Sequence, residues 1–286
     1  LLNKNRLTML VLAAAVIVGV PSLVAAAVII VPIPASEIRN RKVVAPADLT
    51  GIHRIALVAP VLDKVIVQRM GLGATLFGRG YSETGISDWK LTDVALEAAK
   101  SALGERFEFV HPDFGASDPF AAADPQPADD ASHLLEGIVR TMPDHPEIDA
   151  YLVLWPSAEP FPGTSTFLYA AGVDRLPPIG KPRPESHYGE ASIHLYYGAY
   201  LVRALDGRVI AAATGEQPHE KETLKTFFST GVEVFPVAWS GRMSWSAKAD
   251  AMTDDERQVL RDTLSDLVRK SVPYTLVHMG LAPPTP

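Results

Sequence analysis

Residues 192–214 read SIHLYYGAYLVRALDGRVIAAAT. Ile193, Leu195, Tyr197, Ala199 and Leu201 alternate with their neighbours, the period of two that turns one face of a strand toward a core. Asp206-Gly207 supplies residues that tolerate positive φ, so the pattern predicts a two-residue turn with Val209 to Ala213 returning as a second strand. The segment is expected to form a long antiparallel hairpin.

The flanking elements are read by the same rules. Thr253-Asp254-Asp255-Glu256 is a capping box, and Leu260, Leu264, Leu267 and Val268 continue at helical spacing until Pro273, where the helix is expected to end. Upstream, Ala150 to Trp155 is an apolar strand closed by Pro156. Leu134, Leu135, Ile138, Val139 and Met142 describe a helix that Pro143 stops. Leu91, Ala95, Ala98, Ala99 and Ala102 or Leu103 describe an earlier one, with Ser87 or Asp88 as its cap and Gly104 as its end. Phe107 to Val110 alternates as a short strand. Ile55 to Ala59 is a continuous apolar run suited to a buried central strand, and Val65 to Gln68 with Leu72 to Phe77 reads as antiparallel strand.

Two long connections break this series. Residues 111–131 are acidic, with Asp113, Asp118, Asp124, Asp129 and Asp130 and no Lys or Arg. Residues 157–190 hold Pro160, Pro162, Pro177, Pro178, Pro182 and Pro184 and are expected to lack regular structure. Both exceed the usual connection length of about 4 to 6 residues, which points to function or mobility. The resulting fold class is α/β, mixed and α+β-like, with one mixed or largely antiparallel sheet and helices packed on it. Residues 51–286 are expected to form a single domain. In Ile55 to Ala59, Asp88 to Leu103, Tyr151 to Leu154 and Ser192 to Ala213, the order of elements resembles the small α/β modules of bacterial envelope proteins, as in the amino-terminal domain of TolB and in CsgG-like lipoproteins. The likeness covers roughly half of the chain and carries no functional residue across. The lipoproteins' cysteine is missing, since the chain has none.

Leu7 to Pro34 is free of charge and rich in Leu, Val, Ile and Ala, longer than the roughly 20 residues that a helix needs to cross a bilayer. Lys4 and Arg6 precede it. Ala25-Ala26-Ala27 offers a cleavage site for a secretory signal, but the apolar run continues past it, which favours an uncleaved transmembrane anchor over residues 1–34. Residues 35–50 then read as a tether. Arg39, Arg41 and Lys42 balance Lys4 and Arg6, so charge alone does not orient the segment. Long following domains translocate largely regardless of charge, which places residues 51–286 outside the cytoplasm, in a bacterial periplasm or its equivalent.

Charge and composition exclude several partners. The 286 residues carry a net −7; residues 1–50 hold five basic and two acidic side chains, which leaves −10 for the rest. An acidic domain lacks the basic footprint of nucleic-acid binding. Without cysteine there is no disulfide, thiolate metal site or thiol nucleophile.

Chemistry-bearing motifs are incomplete. Gly73 to Gly80 has the glycine spacing of a phosphate loop, but Arg79 and Gly80 stand where Lys and Ser/Thr would be needed. Gly163-Thr164-Ser165-Thr166-Phe167 lacks the second glycine of a nucleophile elbow. Asp129, Asp130 and His133 sit at a helix start, where the aspartates read as caps rather than ligands. His111, His145, His187, His194, His219 and His278 show no metal-ligand spacing, and His194 reads as a surface or packing residue. No cofactor or metal is expected.

Trp155, Phe161, Phe167 and Tyr169, followed by Arg175, Lys181 and Arg183, combine the aromatic and arginine types enriched at protein interfaces. The competing reading is that the aromatics pin the loop onto the domain. Phe227 to Trp239 is also apolar, and suits either core or a partner surface. The expected binding residues are Phe161, Phe167, Tyr169, Arg175 and Arg183. The functional expectation is a membrane-anchored, extracytoplasmic, non-catalytic interaction or accessory subunit of an envelope complex. The alternative is an envelope hydrolase whose site lies beneath residues 157–190.

Overall fold

The computed structural model describes residues 42–69, 81–114, 118–122, 131–143, 145–160, 167–175, 191–215, 232–234 and 248–283. The apolar run Leu7 to Pro34 and the glycine-rich segment 73–80 lie outside them.

Strand β1 (Arg54–Val58) is the hub. Its alternate residues serve two cores, Ile55 and Leu57 on one face and Ala56 and Val58 on the other, which is why the run is apolar throughout. A short helical turn at Pro60–Leu62 leads into β2 (Lys64–Arg69), which pairs antiparallel with β3 (Tyr81–Gly85). Helix α1 (Leu91–Leu103) follows, then β4 (Glu108–Val110), parallel to β1. Helix α2 (Ser132–Thr141) leads to β5 (Ala150–Pro156), parallel to β1 on its other side. The chain goes on through β6 (Ala158–Pro160), β7 (Phe167–Tyr169), β8 (Ala171–Arg175), β9 (Ala191–Leu195), β10 (Tyr197–Arg203), β11 (Val209–Thr214) and β12 (Val232–Val234) to the long helix α3 (Asp254–His278).

The architecture is mixed α/β, and the strands divide among more sheets than the one expected. One five-stranded sheet has the order β11-β10-β5-β1-β4, a second has β12-β9-β8-β2-β3, and β6 pairs with β7 alone. Both large sheets mix parallel and antiparallel neighbours. Helices α1 and α3 pack on one another over the core face of Ile55, Leu57, Leu152, Leu154, Ala199 and Leu201; α2 covers the opposite face through Leu135 and Val139, against Val153 and Tyr200. Val65, Val67, Ala171, Val173, Ile193 and Leu195 bring the second sheet into the first of these cores.

The alternation from Ile193 to Leu201 holds, with all five residues in one core. It spans two strands in two different sheets, however. The turn is also longer than two residues: Arg203 N–H donates to the Arg208 carbonyl, and Gly207, at φ +64°, donates back to Arg203. The left-handed position falls on Gly207 alone, so the turn does not need Asp206 in that conformation. Asp206 instead forks onto the Arg203 guanidinium at 3.0 and 2.6 Å.

Other expectations are corrected. Neither Ser87 nor Asp88 caps α1; those residues form a short turn, and Lys90 stands at the cap with φ +54° and no side-chain cap. At α2 the cap is Ala131, not an aspartate, and its N–H donates to the Tyr200 hydroxyl from β10 instead. The acidic connection 111–131 contains a single helical turn at Pro119–Ala122, capped by Asp118 Oδ1 accepting from Phe120 N–H at 2.9 Å. Residues 157–190 contain β6 and β7, which pair with each other, and β8, which is held between β2 and β9 despite the prolines. The tether reading also stops short: Lys42 bridges antiparallel to Ala212, Val44 is buried and donates to Met279, and Asp48 pairs with Arg208, so residues 42–50 belong to the folded unit.

Helix α3 begins with the expected capping box, Thr253 and Glu256 each bonding the other's backbone N–H. It does not end at Pro273. The helix continues to His278, because Val272 just before the proline and Thr275 and Leu276 beyond it are buried, and this burial outweighs one missing hydrogen bond.

Candidate functional site

Two places in the fold gather chemistry. The first lies at the carboxyl ends of the parallel strands. From β1 the chain crosses to β4 by way of α1 on one face of the sheet, then returns past β1 to β5 by way of α2 on the other. Where connections diverge in this way, the carboxyl ends of the strands are where α/β sheets commonly hold ligands. The residues brought to that end are Asp63, which closes the Pro60–Leu62 turn between β1 and β2, and Trp155 at the end of β5. Asp118 acts on Asp63 through its charge. Burial first, and then the Asp118 charge, push the Asp63 carboxyl up to about 6, against the pull of Lys64. Trp155 is 1% exposed, and its indole N–H has no acceptor among the described residues. An acceptor reaching that N–H would remove a desolvation cost of about 1–3 kcal/mol.

An aromatic cluster fastens the connection after β4 to the α2 face nearby. Phe114 stacks on Tyr151 at 6.4 Å and meets Phe120 at 5.6 Å and His145 edge-on at 6.0 Å. His145 Nδ1 lies 3.2 Å from Glu147 Oε1. Burial, followed by the Glu147 charge, raises the Tyr151 phenol to about 12, which keeps it protonated as a packing group. Among the described residues no three His, Asp or Glu side chains are arranged to hold a metal ion.

The second place is the arm β6–β7. It springs from the meeting point of the two large sheets, and among the described residues it pairs with no third strand. Phe167 and Tyr169, two of the five expected binding residues, are its β7 ends, opposite Pro160 and Ala158. Arg175 is elsewhere: it closes β8, opposite Arg69 and Ala191, five residues beyond Ala170 along the second sheet. At about 3.3 Å per residue this is some 16 Å from the arm's base. Phe161 and Arg183 lie outside the described residues, as do Ser165, Asp129, Asp130 and most of 227–239.

The histidines divide by environment. His133 is 98% exposed on α2, 4.0 Å from Glu136. His194 is fully buried in β9, its ring stacked on Tyr196 at 5.1 Å and lying over Gly172, so it is a packing residue. This end of the sheet was missed by sequence reasoning. Asp63 stood in an apparent turn between apolar strands, and only the parallel pairing of β1 and β5 reveals that turn as the end of a crossover sheet. Comparison with family models, with curated proteins and with solved structures finds no match.

Proposed function

We propose that the chain is a membrane-anchored, extracytoplasmic accessory subunit that docks a protein partner of an envelope complex through the β6–β7 arm. The observation that carries the reading is the arm itself. A lone two-stranded ribbon is marginal in water, and a third strand or an apolar partner surface is what ordinarily stabilises one. Its three-residue strands carry Phe167 and Tyr169, with Phe161 in the connection between them, residue types that dominate binding energy at interfaces. The uncharged run Leu7 to Pro34 supplies the membrane attachment, and the acidic balance of residues 51–286 argues against a nucleic-acid partner.

Crosslinking in intact cells followed by detergent purification tests this. The full chain is compared with a variant in which Phe161, Phe167 and Tyr169 are changed to Ala, and with Arg175→Ala as a separate variant. The expected result is a stable crosslinked species that the triple variant loses while its circular dichroism and melting stay unchanged. Capture that is indifferent to the arm overturns the docking site. A hydrolytic activity abolished by Ser165→Ala or His133→Ala, with no crosslinked species, overturns the accessory role in favour of an enzyme. Recovery of the full-length chain in the soluble cytosolic fraction overturns the anchor.

A further inference from the structure

Three stretches of chain change sheet at a single residue each. Ser157 stands between β5 and β6, Ala170 between β7 and β8, and Tyr196 between β9 and β10. These three residues bond to one another in a closed cycle. Ser157 N–H donates to the Tyr196 carbonyl at 3.2 Å, Tyr196 N–H to the Ala170 carbonyl at 2.8 Å, and Ala170 N–H to the Ser157 carbonyl at 3.0 Å. Three antiparallel ladders radiate from this ring, beginning at Pro156 opposite Tyr197, Ala158 opposite Tyr169, and Ala171 opposite Leu195.

The ring constrains all three ladders at once. A one-residue slip in any of them moves one member out of reach of the other two, so register in the arm, the first sheet and the second is set at a single place. Ala170 makes the geometry possible and bears its cost. It sits at φ +52°, in the left-handed region that a residue with a Cβ seldom adopts. Tyr196 is 3% exposed, so opening the ring would also expose its side chain.

We infer that Ser157, Ala170 and Tyr196 form a conformational joint that couples the order of the β6–β7 arm to the inner ends of both five-stranded sheets. The arm cannot fray past its base without releasing the first rungs of β5–β10 and β8–β9. Anything that steadies the arm steadies those rungs as well. This coupling is a shared opening equilibrium, and it stands whether or not the arm docks a partner.

Native-state hydrogen exchange on the full chain reads this equilibrium. The Ser157, Ala170 and Tyr196 amides are expected to share one protection factor. Ala170→Val places a β-branched side chain in the left-handed region and lowers all three by a common factor of about ten or more. Ala170→Gly relieves the same position and raises all three together, several-fold. The Met142 amide, at the carboxyl end of α2, exchanges by local opening with the joint still closed and keeps its protection in both variants. Should Ala170→Val fail to fold, the glycine variant alone decides the matter. A response confined to the Ala170 amide, three independent protection factors, or an equal change at Met142 overturns the joint.

Discussion

The Tyr197 hydroxyl donates to Ser271 Oγ at 3.1 Å, and the same oxygen lies 3.1 Å from Thr275 Oγ1. The contact ties β10 to the part of α3 that contains Pro273, where one backbone hydrogen bond is missing. Thr275 Oγ1 also donates to the Ser271 carbonyl, so the three hydroxyls form a buried network inside the helix's proline turn. Removing one member strands the others. Tyr197→Phe is expected to cost about 1–2 kcal/mol in denaturant unfolding, Ser271→Ala about 1 kcal/mol, and the pair clearly less than the sum. Strict additivity would show that the network has no energetic unity.

Asp63 sets a pH dependence of unusual sign for a carboxylate. Its folded value of about 6 lies above the ordinary 3.8, so the folded state holds the proton more tightly than the unfolded chain. The protonated form contributes stability that is fully present below the ordinary value and is lost as pH rises to about 6. Asp63→Asn is therefore expected to stabilise the protein at pH 7.5 and to change little at pH 3.5. Asp63 keeps an exposed side, so solvent screening limits the gain to about 1 kcal/mol. Thermal melts at the two pH values check it; an equal shift at both would remove the carboxyl as the cause.

Asp149 behaves oppositely. Partial burial pushes its carboxyl up, but the His53 and Arg54 amides and the Arg54 guanidinium hold it below the ordinary range. Oδ2 accepts from the two amides at 2.9 and 2.8 Å, anchoring the start of β1 beside β5. Stability from this group is present above the ordinary value and is lost as pH falls through the lowered one. Asp149→Ala should cost about 2 kcal/mol at pH 7, and the difference from the parent should shrink below pH 3. Urea titrations at the two pH values measure both quantities, and a cost independent of pH would place it in packing instead.

Gly172 is fixed by close approach. A Cβ built there would lie 2.2 Å from the Ile66 carbonyl oxygen in β2 and 3.2 Å from the buried His194 Nε2. The nearest obstacle is backbone inside a parallel ladder, so it cannot swing aside. Gly172→Ala is expected to cost roughly 3 kcal/mol or more, whereas Gly137→Ala, in open space on α2, should be neutral or stabilising. Comparable melting of the two variants would mean that β2 and β8 are not this close.

Local physics was legible in the chain wherever a pattern depends only on neighbours in sequence. The alternation of Ile193 to Leu201 follows from side chains leaving a strand on alternate faces, and it placed all five in one core. The Thr253–Glu256 box follows from amides that a helix start must satisfy, and it was found where expected. Asp63 and Trp155, by contrast, gave no local sign of sharing an end of the sheet, since that depends on β5 returning beside β1 after two crossovers.

Tertiary structure alone decided which strands became neighbours, because alternation specifies a face and says nothing about an edge. It split one predicted strand at Tyr196 between two sheets, drew β6, β7 and β8 out of a proline-rich stretch, and docked Lys42 and Val44 onto β11 and the end of α3. It also carried α3 through Pro273. For β8, the start of the folded unit and α3, burial and ladders formed with distant partners exceeded a local penalty such as a lost amide donor at proline; the β6–β7 ribbon is a local pairing joined to the sheets at a left-handed alanine. A sequence displays the penalty at the residue itself, while the compensating contacts become visible only once the chain has folded.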